Sequence, residues 1–162
     1  MTKRCKSRRF TFIAAALGAT LVASGLSLAF ASDNGRYGID YGDPTAFIVE
    51  EGNVDPGTYQ GYLVFTRHCM ACHGPDGLGS SFAPSLVKAA ERRSFAEFAQ
   101  TIAGGRDVLP GQVMPSFADD STVLSNIPNI YRYMTARASG ELGRGRPRVI
   151  EAMQEEAPEN DQ

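Results

Sequence analysis

Two thiols and an imidazole stand together in Cys69-Met70-Ala71-Cys72-His73, the most specific chemical signal in the chain. Cysteines three positions apart share one side of a helical turn, and the histidine follows directly. Such a turn can bond the two vinyl-derived carbons of a haem through its sulfurs and present the imidazole to the iron. Other chemistries fit less well. A zinc site asks for four ligands, or three and a water. Beyond the two cysteines the chain offers only His68 and His73, and all four crowd into a stretch too short to surround one ion. A Cys69–Cys72 disulfide is open to an exported chain. A thioredoxin-like redox pair asks for a βαβ setting, which the pattern lacks.

A haem iron held by His73 needs a second axial ligand, and the candidates are His68, Met70, Met114, Met134 and Met153. His68 and Met70 adjoin the attachment turn and cannot reach the opposite face. Met134 falls in a helical pattern, where methionine more often fills a core. Met153 lies in an acidic end. Met114 stands in a loop before Pro115 and Phe117, with enough chain behind it to pass the ring edge. The choice therefore falls on Met114. A closed His–Met iron favours electron transfer over oxygen chemistry.

These residues must be positioned by elements legible nearby. Asp55-Pro56 is a helix start, an N-cap followed by proline, and predicts a helix from Gly57 to about Cys69 with Tyr62, Phe65 and Cys69 on one face. Glycines and prolines make residues 74–86 a loop. Ser94-Phe95-Ala96-Glu97 has capping-box form and opens a second helix through Phe98, Ala99 and Ile102, closed by Gly104-Gly105. Residues 106–121 read as loop, and a last helix runs from about Ile127 to Ala138 with Pro128 in its first turn. The expected class is all-α, three to four helices with long loops. Loops of this length bury little apolar surface, so the haem should fill the centre.

The chain of 162 residues has room for one such domain and its appendages. Residues 1–31 read as a secretory signal peptide: a basic start, an apolar run from Phe10 to Phe30 and a small-x-small ending at Ala29-Phe30-Ala31. A retained membrane anchor is the alternative, since the run approaches the length of a span. Residues 32–54 form a turn-rich arm with one short strand, 55–140 the haem domain, and 141–162 an extension whose acidic end, 151–162, reads as a solvated tail. Cleavage after Ala31 removes five of 16 Lys+Arg and none of 18 Asp+Glu, leaving a net charge of −7. Such a chain carries no footprint for nucleic acid and suits a basic protein partner. It leaves no stable membrane insertion once the leader is gone.

From about Gly57 to Gly140 the chain resembles the class I c-type cytochromes. Gly61 and Phe65 look like positions of the family's first helix, where a small residue lets the last helix cross closely, and Ile130 and Tyr133 look like the crossing positions opposite. The resemblance implies that Pro84, in Ala83-Pro84-Ser85-Leu86, accepts the Nδ1 proton of His73 through its carbonyl, and that Met114-Pro115-x-Phe117 is the methionine loop. A narrower resemblance, over about Gly42 to Arg148, is to periplasmic cytochromes of the cytochrome cL type that serve pyrroloquinoline-quinone (PQQ) methanol dehydrogenases. Gly143-Arg144-Gly145-Arg146-Pro147 and Gly42-Asp43-Pro44-Thr45 carry it most particularly. It implies one covalent haem c, the periplasm of a Gram-negative bacterium, a PQQ-dependent alcohol dehydrogenase as electron donor, and another cytochrome or an oxidase as acceptor. Two other functions compete with a soluble carrier: a haem protein whose iron binds or transforms a ligand, and a haem subunit held in a dehydrogenase complex.

Overall fold

The computed structural model describes residues 38–109 and 112–156. The expected signal peptide, the first residues of the arm and the end of the acidic tail lie outside the described residues. No described helix is long and apolar enough to cross a membrane.

Five α-helices stand among the described residues. The first, α1 (Pro56–His68), starts where expected. Asp55 Oδ1 accepts from Thr58 N at 2.9 Å, and its Oδ2 accepts from Thr58 Oγ1 at 2.6 Å and from Ile48 N at 3.0 Å. That carboxylate is fully buried, so these donors replace the water it has lost. The single turn α2 (Met70–His73) follows with only Cys69 between. Next come α3 (Leu86–Arg92) and α4 (Phe95–Gly104). The capping box of α4 forms in full, Ser94 and Glu97 serving each other's backbone N–H. The last, α5 (Ser121–Ala138), packs across α1. The expected range of three to four helices becomes five because α2 separates from α1 and α3 appears where no helix was expected.

The start of α5 corrects the expected boundary. The helix opens at Asp120, whose Oδ1 accepts from Val123 N at 2.9 Å, and Pro128 lies inside it. An interior proline costs about 3 kcal/mol through its missing N–H and its ring. Val123 and Ile127 before it, and Ile130, Tyr133 and Met134 after it, are all buried, and that burial outweighs the cost.

Two short hairpins complete the fold. β1 (Val49–Glu50) pairs antiparallel with β2 (Asn53–Val54), so the arm carries a hairpin rather than one strand. Its turn holds Glu51 at φ 51° and Gly52 at φ 82°, the left-handed pair of a tight hairpin. β3 (Arg106–Leu109) pairs with β4 (Gln112–Met114) in a stretch expected to be loop.

The chain after α5 runs back over the molecule. Arg137 and Arg144 both pair with Asp76, at 3.1 and 3.3 Å, and Gly145 N donates to the same carboxylate at 3.0 Å. Further on, Val54 N donates to Arg148 O and Ile150 N to Val54 O, at 2.8 and 2.9 Å. Ile150 and Met153 are buried against Ile39, flanked by Ala46 and Ile48. Within the expected solvated tail, Met153 is thus buried, while Glu151, Ala152 and Gln154 are exposed. Residues 151–156 form a 3₁₀ turn, and the three-residue spacing of Ile150 and Met153 puts both on one side of it. Met153→Ala should therefore lower unfolding stability by about 2–5 kcal/mol, as buried methionine truncations do. Exposed Gln154→Ala is the control in the same denaturant series, and equal midpoints would return the segment to solvent.

One buried cation ties the arm to α5. Arg132 is fully buried. Its Nη2 donates to the carbonyls of Asp43 and Tyr41 at 2.8 and 3.3 Å, its Nε to that of Ala46, and its Nη1 to Asn129 Oδ1 at 2.8 Å. Its guanidinium also lies 5.2 Å from the Tyr41 ring centroid. Burial pulls its pKa down, while Asp55, Tyr41, Asp43 and Asp40 act in the opposite direction.

Candidate haem-attachment site

Helix α1 delivers Cys69 to the core, where its N–H donates to Phe65 O at 2.8 Å. The tight turn of α2 then places His73 N on Cys69 O at 2.9 Å, with Cys69 and His73 buried and Cys72 exposed. Both thiols are free. Burial, with Cys72 beside it, pushes the Cys69 thiol up to about 11. It is a protonated thiol at neutral pH, unlike the acidic cysteine of a redox-active Cys-x-x-Cys pair.

The loop after His73 is folded by glycine. Gly74 has φ 74°, and a Cβ there would lie 2.4 Å from Gly79 O; Gly79 has φ 93°. Gly79 N donates to His73 O at 2.8 Å, and the chain returns so that Pro84 O lies 2.8 Å from His73 Nδ1. A carbonyl only accepts, so Nδ1 carries a proton, and in the neutral ring the lone pair is then on Nε2. The resemblance implied this Pro84 contact, and the geometry has it.

Met114 reaches the same site from a different element. It closes the β3–β4 hairpin opposite Arg106. Ser116 Oγ donates to Ala103 O at 2.6 Å and Phe117 N to Ile102 O at 3.2 Å, fixing the following turn on the end of α4. Gly105, at φ 72°, allows the approach, since a Cβ there would lie 2.7 Å from Met114 O.

Cys69, Cys72, His73, Pro84 and Met114 all line one cavity of about 440 Å³, walled by apolar groups including Phe98, Ile102 and Phe117. Of the other ligand candidates, His68 lines it too, with Nδ1 3.4 Å from Asp120 Oδ2. Met134 is fully buried against Gly77 and Met153 is in the second apolar cluster; neither lines the cavity. Among the described residues no three His, Cys, Asp or Glu side chains converge to hold a metal unaided. The donor set suits a flat apolar ring that brings its own equatorial ligands: two thiols for covalent attachment, an oriented imidazole and a thioether. Sequence reasoning missed Arg92, Arg93, Arg106, Phe82 and Val113 in the lining. They come from α3, its junction with α4, the loop and the unexpected hairpin, none of which carries a local signal.

The chain is similar to several known proteins. Residues 58–139 match the family described as Cytochrome C oxidase, cbb3-type, subunit III. Cytochrome c-553I of Paracoccus denitrificans is 40% identical over 118 residues, covering 71% of this chain and 52% of its own length. The chain thus spans about half of that relative. Cytochrome c-555 of Methylococcus capsulatus is 30% identical over 93 residues, 57% of this chain and 72% of its own length. The crystal structure of the c-type cytochrome XoxG from Methylobacterium extorquens AM1 superposes with a TM-score of 0.59 at 40% identity, over 67% of this chain and 71% of that one.

Proposed function

The chain belongs to the c-type cytochrome family matched over residues 58–139, whose cofactor is covalent haem c, and from that premise we propose that it is a single-electron carrier. Bound in the cavity, haem c supplies a one-electron iron couple. Cys69 and Cys72 would hold it by thioether bonds, His73 and Met114 would ligate its iron, and the Pro84 carbonyl would keep the His73 ring in one orientation. The observation that carries the reading is the convergence of His73, fixed at Nδ1, and Met114 on one cavity. Ligation by both residues would leave the iron no open position, which favours electron transfer.

The donor in this reading is a PQQ-dependent alcohol dehydrogenase, with methanol as the leading substrate, and the acceptor is another cytochrome or an oxidase. The arm and the Gly-Arg-Gly-Arg-Pro segment, together with the likeness to XoxG, support this assignment. Residues 1–31 act as the export signal, and the protein works in the periplasm. A second reading, a haem subunit held in a larger complex, is favoured by the family description, which names an oxidase subunit. Copurification at high salt separates the two.

The ligand assignment is tested by Met114→Ala against Met134→Ala. Met114→Ala should keep covalent haem, lower the reduction potential, lose the weak near-red iron–sulfur band and bind carbon monoxide. Met134→Ala should keep band and potential and lose about 2–5 kcal/mol of stability through the cavity it leaves. Carbon monoxide binding by the Met134 variant alone would move the ligand role to α5.

A further inference from the structure

Two residues other than glycine hold a left-handed backbone among the described residues, and one of them, Asp76, lies three positions past His73. Its φ of 60° and ψ of 11° fall between Pro75 and Gly77, in the short turn that follows the attachment segment. Glycine takes this conformation freely, and aspartate only at some cost. The side chain gives the reason for an aspartate here. Asp76 is 11% exposed and Arg137 3%, and the two pair at 3.1 Å. Arg137 is itself held, by donation to Gly143 O and by the Tyr133 ring, whose centroid lies 6.0 Å from its guanidinium carbon. Arg144 Nε and Gly145 N, from the segment after α5, close on the same carboxylate at 3.3 and 3.0 Å. A pair as buried as Asp76–Arg137 is screened little by salt.

The turn so gripped leads to the imidazole. Gly77, next to Asp76, accepts from Ser85 Oγ through its carbonyl at 3.1 Å. Ser85 follows Pro84, whose carbonyl lies 2.8 Å from His73 Nδ1. The Ser85 hydroxyl also accepts from Lys88 N at 3.2 Å, so it starts α3 as well. Gly77 rests on α5, since a Cβ there would lie 2.7 Å from Met134 Sδ. One continuous set of contacts therefore runs from Arg137 to Asp76, along the turn to Gly77 O, through the Ser85 hydroxyl and on to Pro84 O and His73 Nδ1.

We propose that Asp76 is a positioning residue for the His73 imidazole, with Ser85 as the link. Gripped by Arg137 and by Arg144–Gly145, Asp76 holds the Pro84 carbonyl at its distance from Nδ1 and so helps to set the reduction potential. The proposal rests on the carrier reading, in which His73 ligates the iron, and adds to it a determinant of potential outside the cavity lining. A firm Nδ1–H···O bond makes the imidazole a better donor and favours ferric iron, and a slack one favours ferrous iron.

The test uses the holoprotein and three readouts. They are the ferrous-to-ferric ratio at one fixed applied potential, exchange of the His73 Nδ1 proton followed by nuclear magnetic resonance in the ferrous form, and the unfolding midpoint. D76N/R137Q loses one charge of each sign, so the field at the iron changes little and no buried charge is left alone. It should raise the ratio about threefold, short of the ~10-fold that outright loss of such an outer partner can cost, and should speed proton exchange. Asp76→Asn alone, whose amide oxygen can still accept from Gly145 N, should shift both readouts the same way by less, and it serves if folding needs the pair. Ser85→Ala should match D76N/R137Q, and Ser85→Thr, which keeps the hydroxyl, should restore the parent values. Because the contacts form one route, the triple variant D76N/R137Q/S85A should raise the ratio no more than the larger of its parts. Ile39→Ala, buried in the second apolar cluster and outside the route, should lower the unfolding midpoint and leave the ratio alone. An unchanged ratio and exchange rate in D76N/R137Q would overturn the proposal. So would shifts that add in the triple variant, or an equal shift in Ile39→Ala, which would assign the effect to lost stability. Parent protein purified without covalent haem would remove the carrier reading itself, and this proposal with it.

Discussion

Gly61→Ala is expected to destabilise the holoprotein by about 3 kcal/mol, the upper end for overpacking in a well-packed core. A Cβ at this position would lie 1.9 Å from Asn129 O, 2.4 Å from Asn129 C and 3.0 Å from Ile130 N. All three are backbone atoms of α5, so no side chain can swing away. The helices must separate, and the loss spreads to the pairs that depend on their approach, among them Phe65 and Tyr133 with ring centroids 5.6 Å apart. A domain of this size has about 5–15 kcal/mol in total, so one methyl group would consume a large share of it. Guanidinium unfolding followed by helical circular dichroism gives the number. Gly104→Ala serves as control, since a Cβ there meets nothing within 4 Å. Identical midpoints for Gly61→Ala and the parent would show that α1 and α5 do not cross at this residue.

Arg132→Met is expected to release the segment before α1 and to cost about 3 kcal/mol, the penalty for leaving buried acceptors unpaired. The methionine keeps an unbranched apolar stem, two atoms shorter, and loses every donor. The Tyr41, Asp43 and Ala46 carbonyls and Asn129 Oδ1 then lose the groups that bind them. Arg132→Lys should rescue little, because an ammonium lacks the planar fork that spans several carbonyls. Amide hydrogen exchange should rise across residues 38–48 while α1 keeps its protection. Unchanged exchange there would mean that the arm is held by its other contacts, such as Ile39 with Ile150 and Met153.

What the sequence made legible was local. Asp55-Pro56 and Ser94-x-x-Glu97 announced α1 and α4 because a cap is a contact between residues three apart. Cys69, Cys72 and His73 were legible because attachment needs them adjacent, and Met114 because each competitor had a reason against it. Helix α3 gave little sign: it has seven residues, and its apolar stripe, Leu86, Val87 and Ala90, is short and only partly buried. The β3–β4 hairpin is too short for alternation to stand out. Pro128 marked the wrong end of a turn because the same residue type is permitted at a helix start and, when packing outweighs it, inside. Met153 was misjudged because its charged neighbours were taken as a sign of solvent, whereas Ile39, more than eighty residues away, decides its burial; the burial of Arg132 rests on carbonyls as distant. The arginines in the cavity lining share that origin, since they meet only after α3, α4 and the hairpin are in place.

The strap formed by residues 142–153 imposes an order of events. Asp76 lies just past the attachment turn, and its contacts with Arg144 and Gly145 span 68 and 69 residues of chain. A polypeptide made from its amino end exposes Cys69, Cys72 and His73 long before those partners exist. Until then the loop after His73 has only its own short-range hydrogen bonds, and loop closure over such a distance makes the last contacts late ones. During the interval the loop after His73 is without its clasp, and arrival of the strap ends it. The clasp on Asp76 is in this sense a timer, set by its distance along the chain.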